Sequence, residues 1–238
     1  MNTKCIYCGR DAETKDHVPP KNLFPKPRPS NLVTVPSCED CNGGASDDDE
    51  YFRNILIFRE DVTDSPNAAK VWQTVRGALR RENARKFTES LARAMFDKPV
   101  ETPAGILLGT APAINVDQPR MDRVLRRTIR GLYFSEFGHP MPSDHYLAIY
   151  HEEVVDSWPT GVGEMLGEIV AAATAQPKKR IGDDVFECCF ARVDDHATAS
   201  AWAFRFYSRA YFAAINVPGD YRERAQDLLA IEQGSGEQ

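Results

Sequence analysis

The sequence predicts an α+β fold, and three observations carry that expectation. Apolar residues recur at helical spacing through residues 49–96 and 121–137. They alternate with a period of two in four short runs between residues 145 and 217. Two C-x2-C knuckles near the N-terminus mark a segment stabilised by a metal. A chain of 238 residues, 42% hydrophobic and 27% charged, has the composition of a globular protein with a sizeable core. No apolar run approaches the ~20 residues that span a bilayer. The opening stretch MNTKCIYCGR lacks the apolar stretch of a secretion signal, so no membrane partner and a cytoplasmic address are the expectations.

The elements follow in order. Residues 1–60 read as one unit, with Phe52, Ile55 and Leu56 giving Asp49–Glu60 a helical stripe. Residues 61–238 read as a second, α+β unit. In it, Val71, Val75 and Leu79 form one helical stripe and Phe87, Leu91 and Met95 another, so Ala68–Phe96 is one helix or two. Pro99–Pro119 turns extended, with Ile106–Leu108 and Ala113–Val116 as short strand candidates. Met121–Phe137 is helical and ends at Gly138 and Pro140. His145–His151, Asp184–Val193, Ser200–Tyr207 and Ala210–Val217 alternate as antiparallel strands, with a turn at Ser208-Arg209. Glu164–Ala175 fits a helix between the first two strands, and Asp220–Ile231 a short terminal helix before a Gly/Ser/Glu tail.

Cys5, Cys8, Cys38 and Cys41 form the two knuckles, separated by 29 residues. Each knuckle offers two sulfurs to one ion, and four thiolates suit a tetrahedral structural Zn²⁺. A disulfide reading is weaker without a secretion signal, and a redox motif needs only one C-x2-C. Cys188 and Cys189 are neighbours on a strand and point to opposite faces, which makes them packing residues rather than a shared ligand pair.

Between the knuckles lies Asp16-His17-Val18-Pro19-Pro20, then Asn31-Leu32-Val33-Thr34-Val35-Pro36, and Asn42 follows the second knuckle. Adjacent strand residues face opposite ways, so Asp16 and His17 can serve a metal and a scissile group separately. A neutral histidine is a suitable base near pH 7, and carboxylate and amide oxygens suit a hard cation. CIYCGR, KDHVPP, NLVTVP and CEDCN, in this order and spacing, resemble the HNH endonucleases, the ββα-metal or His-Me finger group, over residues 3–55. The resemblance implies a structural zinc beneath a β-hairpin and helix. It implies that His17 is the general base, and that Asp16 and Asn42 hold a catalytic Mg²⁺ or other divalent ion. Asn31 would fix the loop that orients the histidine. The glycine pair often found before the central Asn is replaced by the proline-rich loop Lys21–Ser30. Asp47, Asp48, Asp49 and Glu50 are either further ligands or first-turn charges that suit the helix dipole, the second being the commoner role. His139, His145, His151 and His196 have no such frame and read as structural.

The net charge of −6 taken alone speaks against a nucleic-acid partner, but it averages opposed regions. Lys70–Lys98 carries eight Lys or Arg against three acids, and Arg120–Arg130 five Arg against one. Gly131–Gln176 carries seven acids and no Lys or Arg. Arg76, Arg80, Arg126 and Arg130 are therefore candidates for phosphate contacts, with a merely solvated helix face as the alternative. The expectation is a metal-dependent endonuclease acting on double-stranded DNA, with restriction or phage defence as the role suggested by analogy. Residues 61–238 would supply substrate selection, an effector site or a homodimer surface. The alternative from another class is a zinc module that binds nucleic acid or protein and cuts nothing.

Overall fold

The computed structural model describes residues 3–79, 85–102, 104–151, 167–168, 170–193 and 196–220. The fold is α+β, in three layers. A two-stranded hairpin, β1 (Thr14–Val18) and β2 (Val33–Ser37), lies on one side of a helical layer. On the other side lies a five-stranded antiparallel sheet. The helical layer contains α2 (Ser46–Phe58), which follows the short α1 (Glu39–Gly43), and α5 (Gln118–Phe137). The sheet order is β5 (His145–His151), β9 (Ala210–Pro218), β8 (His196–Phe206), β7 (Phe186–Val193), β6 (Lys179–Ile181).

The alternating runs do form strands, because each has one apolar face to bury. Cys188, Trp202, Phe204, Phe206 and Phe212 face the helices, while Cys189 and Ala203 face the other way and are covered by Ala173. Cys188 and Cys189 are thus packing residues on opposite faces, as the strand period requires. β8 and β9 are joined through Tyr207 and Ser208, at φ +50° and +60°. The Arg209 N–H donates to the Phe206 carbonyl at 3.0 Å, closing a primed turn that suits strand twist.

α5 begins three residues earlier than its apolar stripe. Asp117 caps it, accepting from the Arg120 N–H at 3.2 Å, and Pro119 sits in the first turn. It ends at Gly138, whose φ of +76° few other residues adopt readily. Leu125, Ile129 and Leu132 are fully buried. Where α5 crosses β1, Gly131 is required: a Cβ there would lie 2.4 Å from Val18 Cγ1. One apolar core links Leu23, Phe24, Phe52 and Leu56 to Leu125, Ile129, Phe206 and Phe212.

α3 (Pro66–Leu79) buries Val71 and Val75 as the stripe predicts, and α4 (Arg85–Ala94) follows it. Met95 departs from its expected helical place. It opens β3 (Met95–Glu101), which pairs with β4 (Leu107–Ile114), and it is half exposed. β-Bridging with Ile114 ends the helix there. Arg80, part of the 164–175 helix, and the terminal helix after residue 220 with its tail lie outside the described residues. Among the described residues no helix is long and apolar enough to cross a membrane.

Candidate active site and metal centre

The two knuckles meet beside the hairpin. Cys5 starts a turn in which Gly9, at φ +76°, donates its N–H to the Cys5 carbonyl at 2.9 Å. Cys38 directly follows β2, and the Asn42 N–H donates to its carbonyl at 3.1 Å. The Ile6 N–H to Pro36 carbonyl bond, 3.1 Å, ties the first knuckle to the second strand. All four Sγ atoms lie within 4.8 Å of one another, and Cys8 Sγ and Cys38 Sγ are 3.6 Å apart. Tetrahedral zinc, with Zn–S bonds of about 2.3 Å, requires a sulfur spacing of about 3.8 Å. The donor set therefore fits a structural metal such as zinc. Arg10 reaches the Cys8 and Cys38 sulfurs at 3.5 Å and pairs with Asp40 at 2.8 Å. Its hydrogen bond holds the Cys8 thiol down at about 6, favouring the thiolate. Among the described residues this is the one set of three or more His, Cys, Asp and Glu able to hold an ion.

β1 separates Asp16 from His17. His17 pairs with Thr34 across the hairpin on its outer face, partly exposed. Burial and the cations Lys21 and Arg28 hold its pKa below the ordinary histidine value, against the opposing pull of Asp16. The imidazole is thus neutral near pH 7. Asp16, on the inner face, is only 4% exposed. Its carboxylate accepts from Tyr7 OH at 2.9 Å and pairs with Arg127 Nε of α5 at 3.1 Å. Arg127 also pairs through Nη2 with Asp49, whose carboxyl burial pushes up to about 6 despite that cation.

The expected divalent-ion ligands each have partners within the fold. Asp16 is committed to a guanidinium and a phenol, so a cation already stands against it. Asn42 donates through Nδ2 to Thr14 Oγ1 at 3.0 Å and to the Lys15 carbonyl at 3.3 Å. Asn31 Nδ2 donates to the Arg180 carbonyl of β6 at 2.9 Å, so it ties the hairpin loop to the sheet rather than to itself. Among the described residues Asp16 belongs to no set of three or more His, Cys, Asp and Glu that could hold an ion.

Two of the first-turn acids of α2, Asp48 and Asp49, take a third role, neither ligand nor free helix charge. Asp48 pairs with Arg120 at 2.8 Å and Arg123 at 2.6 Å, which holds its carboxyl below the usual range, and Asp49 pairs with Arg127. They dock α2 onto α5. Arg126 is turned to the Leu147 carbonyl. The arginines of α5 thus largely serve the fold. Arg130 is partly exposed, and Arg76 is exposed on α3. His145 bonds Asn216 at 2.9 Å and His151 bonds Asp122 at 2.8 Å, both within the fold.

A second set of cations was not singled out by periodicity. Lys178, Arg180 and Arg205 surround buried Glu187 at 3.2, 2.6 and 3.0 Å. The signal for it was present: residues 178–180 read Lys-Lys-Arg, and residues 18–38 hold Lys21, Lys26 and Arg28 with no acid. Comparisons with family models, curated proteins and solved structures found no match to this chain.

Proposed function

We propose that the chain is an HNH-type endonuclease that hydrolyses DNA phosphodiester bonds, with His17 as general base. The observation that carries this reading is the place of His17. It lies on the outer face of a hairpin that is followed by a helix and anchored beside a four-cysteine site. In the reaction, His17 takes a proton from water as the water oxygen bonds to phosphorus. The P–O3′ bond breaks, and the leaving 3′ oxygen gains a proton from solvent. Zinc, with four thiolates and no open position, holds the frame without entering the chemistry. Asp16 is paired with Arg127 and takes no part in this step.

The Asp16–Arg127 pair favours a second reading, a zinc module that binds nucleic acid without cutting it. Plasmid incubated with the zinc-loaded protein in Mg²⁺, Mn²⁺ or Ni²⁺ separates the two. Nicking by the wild type and its loss in His17→Ala is the expected outcome. Nicking that persists in His17→Ala removes the base assignment, and no nicking under any condition supports the binding module. The acid limb of the rate should lie below the ordinary histidine value, since only the neutral base acts. Lys21→Ala removes a repelling cation, raises the pKa of His17 and moves that limb to higher pH.

A further inference from the structure

We infer that double-stranded DNA is held by a basic track that the hairpin loop and the edge of the sheet form together. The track runs from Lys21, Lys26 and Arg28 to Lys178, Arg180 and Arg205. The inference rests on the nuclease reading for its choice of partner, and on geometry for its location.

The two halves of the track lie about 150 residues apart in sequence and are locked together in space. Asn31 Nδ2 donates to the Arg180 carbonyl at 2.9 Å, and Tyr207 OH donates to the Leu23 carbonyl at 2.6 Å. Gly182, at φ +68°, lets Phe24 pack against the β6–β7 turn, since a Cβ there would sit 2.7 Å from the ring. Between them opens a cleft of about 730 Å³, lined by Pro27, Arg180, Arg205 and the acids Asp183, Asp184 and Glu187, with the loop cations outside that lining. The prolines fix the loop before any ligand arrives, which lowers the entropy lost on binding.

Charge favours this surface over α5. On α5 the cations meet partners from α2, as Asp48 and Asp49 absorb Arg120, Arg123 and Arg127. The track has six cations, of which Lys178, Arg180 and Arg205 pair with Glu187, and its acids are Asp183, Asp184 and Glu187. Asp184 is already hydrogen-bonded by Ser65 and Asn67, and Glu187 shares one charge among three cations. Lys21, Lys26, Arg28, Lys178 and Arg180 are all exposed. The surplus is positive, and it begins beside His17, whose ionisation Lys21 and Arg28 already suppress. A phosphate backbone arriving at His17 therefore meets the loop cations first and continues toward β6.

The test is fluorescence anisotropy of the intact zinc-loaded protein with a labelled 20-base-pair duplex, without added divalent ion, at several salt concentrations. Arg28→Glu and Arg180→Glu should each weaken binding roughly tenfold and lower the salt slope by about 1 to 2. Arg76→Glu and Arg130→Glu should leave affinity within about twofold. Because Arg180→Glu faces Glu187, Lys26→Glu on the exposed loop repeats the test away from that pair, with thermal melting confirming the fold. Unchanged binding in Arg28→Glu and Lys26→Glu overturns the track, as does loss confined to Arg76→Glu and Arg130→Glu. Tighter binding of an RNA duplex of the same sequence overturns the choice of partner. Binding through the track without plasmid nicking upholds the track while the nuclease reading fails. Nicking with track variants unaffected does the reverse.

Discussion

A carboxylate buried to 4% exposure keeps its charge only where a cation and hydrogen-bond donors replace the lost water. For Asp16 these are Arg127 and Tyr7, and Arg127 serves Asp49 as well. Removing the guanidinium leaves buried Asp16 and half-buried Asp49 without their counter-charge. Arg127→Met should therefore cost about 3 to 5 kcal/mol in urea unfolding, far more than loss of an exposed arginine. A cost under about 1 kcal/mol would mean that Asp16 finds solvent or another partner. Much at this scale was legible in the sequence. The strand period already separated Asp16 from His17, and the paired knuckles announced the four sulfurs. What no local pattern revealed was Arg127, which stands 111 positions away and reads in sequence as one more basic residue on an amphipathic helix. Its partner determines whether Asp16 is a ligand or part of the core.

The elements were legible wherever one face had to be buried. The four C-terminal strands and α5 follow their periodicities closely, because misregister would expose a whole apolar face. β3 and β4 were harder to read. Their apolar residues, including Phe96, Leu107 and Leu108, are exposed, so burial left no period to read, and Met95 looked like the end of a helical stripe. The hairpin β1–β2 is fastened twice, by the cysteines at its ends and by α5 beneath Val18 and Val35. The two fastenings make separate predictions for metal removal. A strong chelator should lower the melting temperature by stripping an ion worth about 4 kcal/mol when present at a thousandfold its dissociation constant. The amide protection of Cys5–Gly9 and Cys38–Asn42 should be lost first. Protection across the Asp16–Val35 pair should survive, since α5 still covers it. Simultaneous loss of both in hydrogen exchange would show that the metal alone holds the hairpin.

Across the whole molecule, the residues that resemble a nuclease module do not own their core. Leu23, Phe24, Phe52 and Leu56 are buried against α5 and the sheet, and the acids of α2 are neutralised by arginines from α5. Sequence divides the chain near residue 60 because the motif ends there. Packing does not divide it there: a 60-residue piece buries too little of its own surface to be stable without help. Residues 1–60 expressed alone should bind zinc through the four cysteines, yet lack a cooperative thermal transition and bind a dye for exposed apolar surface. Adding residues 61–238 in trans should restore the transition if the shared core reassembles. A cooperative transition in the isolated piece, with metal and without dye binding, would show that the four-cysteine site suffices. The same sharing explains why total charge misleads. The −6 is a total of 29 Lys and Arg against 35 acids, in which arginines of α5 cancel Asp16, Asp48 and Asp49 within the fold while other cations stand at its surface. Only the second group can meet a polyanion, so affinity should follow the exposed loop and β6 cations rather than the arginine content of the helices.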